Sequence, residues 1–359
     1  MGETERSAMR RPAGRRARRL VGTAALALAL LPWTACRQTT PAAKRDATGT
    51  AGEGATVRTV VDARAWLQDD TLPELEPLSA DASEPSLAVL ERGTAARALR
   101  VEAPVGLRQS LSVRLELAVD EAVDGVSLRT DFAARLMLEL AVVERTADGG
   151  VRGTLRVTGT TLEREPSAAE QVAAVRTAVG ALAGVAAGVQ FGPFGDLVQA
   201  EWELPAEWTA EVRDAARLVT DALELATVPL PVEPVGTGGR WGREFRSGAD
   251  SGLDATTRER FLLEQLDGAR GRLRGRLRTR AGEQSLQAPA GAVGVEVRLL
   301  ELDLQDSLEL LFDLGRPLPV QGRRALSSIQ RRRRTVEGRT ELLETRTRTL
   351  LELEPAGDG

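Results

Sequence analysis

Six arginines, Arg270, Arg272, Arg274, Arg276, Arg278 and Arg280, occupy every second residue of one short stretch. In an extended strand successive side chains leave opposite faces, so all six guanidinium groups share a face while Leu273 and Leu277 turn toward the core. Guanidinium forks match phosphate and carboxylate geometry, which makes this stretch a candidate anion-binding face for lipid phosphates or acidic polysaccharide. A ladder of like charges also destabilises a sheet unless neighbouring strands bring carboxylates, and Glu296 and Glu344 are candidates for that role. An outer face of ion pairs is therefore the competing reading. Arg331 to Arg334 form a second basic run, either a solvated loop or strand end, or a contact for anionic headgroups.

Other chemistries are limited by missing residue types. There is no histidine and no tyrosine, and Cys36 is the only cysteine. That removes Ser-His-Asp and Cys-His catalysis, the usual zinc sites and histidine acid–base chemistry. Carboxylate pairs of the glycosidase kind survive, but 52 acidic residues make some pair inevitable, and aromatic platforms for sugars are scarce at 3%. Asp250 with Asp254, and Asp303 with Asp306, lack the alternating oxygen ligands of a dedicated calcium loop. Gly236-Thr237-Gly238-Gly239 leads into a strand rather than a helix, so it reads as a turn and not a phosphate loop. No enzyme, metal or cofactor is expected.

Cys36 has a distinctive setting. Seven arginines between Arg6 and Arg19 precede an uncharged apolar run, Leu20 to Ala35. The run is shorter than the roughly 20 residues that span a bilayer and contains Pro32, which favours a cleaved export signal. Met9 offers an alternative start with a more usual basic region. The run ends Leu31-Pro32-Trp33-Thr34-Ala35-Cys36, which resembles the lipobox of bacterial lipoproteins, with small residues before the acylated cysteine. Trp33 stands where that pattern favours an aliphatic residue. The resemblance implies a lipid anchor at Cys36 in the bacterial cell envelope, facing the periplasm, and Arg37 in place of an inner-membrane-retaining aspartate favours the outer membrane. An ordinary secretory signal ending near an incidental cysteine is the alternative. With Cys36 acylated, no disulfide is possible, and stability must come from a packed core.

The elements carrying these residues follow the periodicity. Residues 37–85 form a Gly-, Pro- and acid-rich tether with one apolar island (Val60, Val61, Ala65, Trp66, Leu67), too poor in large apolar residues elsewhere to offset ordering entropy. Leu111, Val113, Leu115, Leu117 and Val119 alternate with polar residues, as do Leu136 to Val142, and Ala147 to Gly150 turns the chain into a returning strand, Val151 to Leu162. After Pro166 the signals become helical: Ser167 and Glu170 suit a capping box, and Val172, Val175, Val179, Leu182 and Ala186 recur at spacings of three and four. A hairpin from Phe191 to Trp202 precedes a second helix, Pro205 to Ala226, striped with Trp208, Val212, Ala215, Val219 and Leu223. Strands then resume at Phe261 to Asp267, Leu273 to Thr279, Val293 to Leu304, Leu308 to Leu314 and Leu342 to Leu353. This predicts an α+β fold, a mainly antiparallel sheet in two β-rich halves (86–204 and 205–355) packed around a central pair of helices. Residues 1–36 are the signal and 86–355 the globular domain.

The second half resembles a family of uncharacterised exported bacterial lipoproteins on its proline-rich segment Pro229 to Gly236, the following Gly238-Gly239-Arg240-Trp241, and Leu311-Phe312-Asp313-Leu314-Gly315. These are turn and packing residues, so the resemblance implies a shared fold and export but no activity. The formal charge is −4 with a basic leader, so the rest is more acidic still and nucleic acid is not an expected partner. The expected function is a lipid-anchored, non-catalytic structural or protein-interaction role, with the membrane and another envelope protein as partners. The alternative is a carrier for an apolar or anionic lipid-like ligand, by fold-level similarity to Lol-type lipoprotein carriers.

Overall fold

The computed structural model describes residues 87–124, 126–167, 169–203, 210–227, 230–247, 253–286, 295–336 and 338–356. The signal, Cys36, the tether, Trp208 and Asp250 lie outside them. The strands are β1 (Ala88–Glu91), β2 (Thr94–Arg97), β3 (Arg108–Val123), β4 (Val126–Arg145), β5 (Val151–Arg164), β6 (Ala186–Phe191) and β7 (Leu197–Trp202). The second series is β8 (Val235–Thr237), β9 (Arg240–Ser247), β10 (Ala255–Asp267), β11 (Arg270–Ala281), β12 (Gln284–Leu286), β13 (Val295–Asp313), β14 (Gln321–Val336) and β15 (Arg339–Pro355). Two helices, α1 (Ala169–Ala181) and α2 (Ala210–Ala226), interrupt them.

The expected α+β class is overturned. About two thirds of the described residues are in strands and about a tenth in helix, so the protein is mainly antiparallel β. One sheet runs β1-β9-β10-β11-β13-β14-β15-β3-β4-β5-β6-β7, with β12 beside β13, while β2 and β8 pair separately. The two halves are not separate bodies around a helical centre. The last strand, β15, pairs along the first long one, β3, from Leu343↔Val123 to Pro355↔Leu111, and joins them edge to edge.

Alternation places the core. Leu111, Val113, Leu115, Leu117 and Val119 are all buried on one face of β3, and register sets Leu111 opposite Leu138 of β4. Register shifts interrupt β4–β5 at three places, β10–β11 between Leu263 and Gln265, and β13–β14 between Leu299 and Glu301. Such bulges add twist and bend long strands. The sheet thus folds over on itself, and one core unites Trp241, Phe261 and Leu273 from one end with Leu155, Val189 and Phe191 from the other. Trp241, wholly buried, lies with its ring centroid 5.8 Å from that of Phe261.

The helices fill places against this sheet. On α2, Ala215, Ala216, Val219, Ala222, Leu223 and Ala226 are buried in the main core, and Trp202 of β7 donates its indole N–H to Thr220 at 2.7 Å. The α1 helix is shorter than its periodicity suggests. Gly184, with φ of +86°, turns the chain back, and Ala186 already begins β6. Ser167 donates its hydroxyl to Asp131 of β4. Val175 and Val179 pack on Leu117, Val119 and Phe132 in a small satellite core. Val293 to Leu314, expected as two strands, contains the single strand β13, and β14 takes in the basic run expected in a loop or at a strand end.

Candidate functional site

The six arginines do share the outer face of β11, and the acids that answer them come from the strands on either side. Arg270 donates to Asp313 at 3.3 Å, and Arg272 bridges Glu264 at 3.3 Å and also Glu309. Arg274 reaches Glu264 at 3.0 Å, and Arg276 is likewise engaged. Arg278 clasps Asp303 through Nε at 3.0 Å and Nη2 at 2.6 Å. Burial pushes the Asp303 carboxyl up, but the hydrogen bonds and charge of Arg278, with the nearby charge of Arg280, outweigh it and hold it below the usual range. The ladder is an ion-paired face. Neither acid proposed from the sequence answers these arginines: Glu344 lies on β15 with Arg331 and Arg346, and Glu296 precedes the stretch of β13 that faces β11. Same-face acids at Asp303 and Glu309 were the sequence signal for the true partners.

A second outer network centres on Arg114 of β3, which pairs with Glu116, with Glu163 at 2.6 Å and with Glu352 at 2.9 Å. Arg135 of β4 shares Glu163 at 2.6 Å, and the Glu163 carboxyl is held below its ordinary range by Arg114 first and Arg135 second.

Alternation also separates groups adjacent in sequence. Asp303 faces out, whereas Asp306, three residues on, faces in and is 2% exposed, so the two cannot share an ion. Asp254 is clasped by Arg246 at 2.5 and 2.6 Å. No group of three metal-ligating side chains occurs among the described residues. The basic run splits across both faces: Arg331 turns outward to Glu301 and Glu344, while Arg334, on the opposite face, pairs with Glu341.

The unexpected chemistry lies on the inner face. Arg243 of β9 donates to Glu259 of β10 at 2.5 Å, and both are buried. Register carries the same row through Leu277 to Asp306 of β13, which Arg324 of β14 grips through Nε at 2.6 Å and also through Nη2. Arg324 Nη1 continues to the Leu225 carbonyl near the end of α2 at 2.5 Å. Burial pushes the Asp306 carboxyl up, Arg324 opposes this, and the charge of Glu259 adds to it. Next to this row the Thr257 and Thr279 hydroxyls lie 2.9 Å apart, and Ser328, Gln330, Thr345 and Thr347 are buried on β14 and β15. The signal for this belt was polar residues standing in the apolar phase: Glu259 before Phe261 and Leu263, Asp306 between Leu304 and Leu308.

Cavities among the described residues include two. One of about 40 Å³ beyond the end of α2 is lined by Thr227, Leu230, Leu273, Phe312 and Leu318. The other is an open depression of about 470 Å³ whose lining includes Arg272, Glu309, Gln321, Arg323 and Glu352. No protein-family model matches the chain, and a search of curated proteins finds no relative.

Proposed function

We propose that this chain is a lipid-anchored protein of the bacterial envelope that acts by non-covalent association rather than by catalysis. The anchor rests on Cys36 and its leader: seven arginines, an uncharged apolar run, then Thr34-Ala35 before the thiol. More than one acyl chain is needed for stable attachment, and a diacylated, N-acylated cysteine supplies it.

The observation carrying the associative role is the seating of α2. Its Ala215, Ala216, Val219, Ala222, Leu223 and Ala226 are buried against the inner sheet face, and the space beyond its end is about 40 Å³. An acyl-chain carrier needs an apolar void of several hundred Å³, whereas these α2 side chains pack directly into the main core. The larger depression mixes Arg272, Glu309, Arg323 and Glu352 with Leu310, Leu311 and Leu353, a charged and apolar rim that suits a protein partner surface.

The test has two parts. Cys36→Ser should move the protein from the membrane to the soluble fraction, and the mature N-terminus should carry the mass of acyl groups; unchanged partitioning removes the anchor. Native mass spectrometry of the Cys36→Ser chain purified from a bacterial envelope should show no bound lipid. A recurring co-purified lipid replaces the associative role with a carrier.

A further inference from the structure

Arg243, Arg324 and Arg332 all project from the inner sheet face, the first two buried and the third half-buried, and they are treated differently. Arg243 has Glu259 and Arg324 has Asp306, each joined by charge-assisted hydrogen bonds. Arg332 of β14 has no such carboxylate among the described residues. Its Nη2 donates to the Thr345 hydroxyl at 3.3 Å, and its Nε is buried without a partner among the described residues. Around it on the same face stand Leu299, 0% exposed, and Leu343, 8% exposed. Burial pulls the guanidinium below its ordinary range, Glu121 of β3 offsets this through space without a hydrogen bond, and Arg334 adds to it. Arg334 itself is paired with Glu341. A desolvated cation lacking a hydrogen-bonded counter-ion is costly, and the group that relieves it is an anion.

The neighbouring side chains are suited to receive one. Gln330 faces Thr345 across the β14–β15 pair, and Ser328 faces Thr347 in the next inward-facing pair. All four are under a tenth exposed. Directly opposed residues on paired strands hold their Cβ atoms about 5 Å apart, so an amide, three hydroxyls and the guanidinium converge on one small region. Each offers a hydrogen to an oxyanion, and Arg332 adds the planar fork that phosphate and carboxylate prefer.

We propose that Arg332, Gln330, Ser328, Thr345 and Thr347 form a binding site for a phosphate or carboxylate group on the inner face of the sheet. The site is independent of the lipid anchor, and its oxyanion can belong to a free solute or to a lipid headgroup.

Thermal melting of the full chain with Cys36→Ser, at constant ionic strength, tests this with inorganic phosphate, acetate, and dihexanoyl phosphatidylglycerol against dihexanoyl phosphatidylcholine. A ligand that binds only the folded state raises the melting midpoint, by a few degrees near saturation. The expected result is a rise with phosphate or acetate for a solute site, or with phosphatidylglycerol at lower concentration for a headgroup site. Arg332→Met should abolish the rise and melt no lower than the parent without ligand, because it removes a half-buried cation that no carboxylate hydrogen-bonds among the described residues. Arg333→Met, on the opposite face, should keep the full rise. If Arg332→Met does not fold, Thr345→Val and Gln330→Leu should each reduce the rise. No rise with any probe, or an equal rise in parent and Arg332→Met, overturns the site, as does loss of the rise in Arg333→Met.

Discussion

Arg324 holds Asp306 with two of its nitrogens and gives the third to the Leu225 carbonyl, so one side chain ties β13, β14 and the last turn of α2 together. Both partners are nearly sealed from water, with side chains 8% and 1% exposed. Carbonyls in the last turn of a helix have no intrahelical donor, and a cation there also complements the helix dipole.

Removing one member of that pair should be far worse than removing both. Arg324→Met leaves Asp306 buried and alone, and is expected to cost about 3–5 kcal/mol in urea unfolding. The double variant Arg324→Met/Asp306→Leu should recover most of that loss, short of about 1 kcal/mol for the orphaned Leu225 carbonyl. Equal losses in the single and double variants would show that the pair itself, rather than its desolvation, carries the stability.

The outer ladder should behave in the opposite way. Arg278 makes two good hydrogen bonds to Asp303, but its side chain is 43% exposed. Arg278→Met is expected to cost less than about 1 kcal/mol, and less still in high salt, because water and mobile ions screen such pairs. A loss comparable to that of Arg324→Met would mean that the outer face is dry.

Acid should unfold the protein through its outer carboxylates. Glu163 is held below its ordinary range by Arg114 and Arg135, Asp254 by Arg246, and Glu344 by Arg331 and Arg346. A depressed folded value means that each contributes stability above the ordinary carboxylate range near ~4, and loses it as pH falls through the folded value. Asp306 has the opposite sign. Its raised folded value gives a contribution that is full below ~4 and lost as pH rises through that value. Urea midpoints measured from pH 8 down to pH 2 should therefore decline on the acid side, and Glu163→Gln should flatten that decline. An unchanged acid limb in Glu163→Gln would remove the Arg114 network from the account.

Gly236 sits where no side chain fits. A Cβ there would lie 1.9 Å from the Thr94 carbonyl oxygen, a backbone atom of β2 that cannot move without breaking its pairing with β8. Gly236→Ala should cost about 3 kcal/mol or more, at the upper end for overpacking, and should loosen the approach to Trp241. Because Trp241 is fully buried, a red shift in tryptophan emission before global unfolding is the readout.

Local alternation was enough to recognise most long strands. β3, β4, β5, β10, β11 and β15 all appear where apolar residues recur at period two, because the face a side chain takes is settled by its own strand. The same rule predicted that the six β11 arginines share one face. Helix content was overestimated because the Val and Ala spacing after Pro166 runs past Gly184, where the backbone turns instead. In β14 the alternation is carried by arginine, glutamine and serine, so no apolar period marked it.

What the chain could not reveal by itself is which strands lie side by side. The closure of β15 on β3 joins residues more than two hundred positions apart, and only that pairing makes one sheet of two hairpin series. Register between distant strands likewise decided that Asp303 and Glu309, not Glu296 or Glu344, answer the arginine ladder, and that Arg324 has a carboxylate where Arg332, among the described residues, has none. A residue's type and phase are properties of its own segment, whereas its partner is set by long-range pairing and by how a bulged, twisted sheet folds over its core.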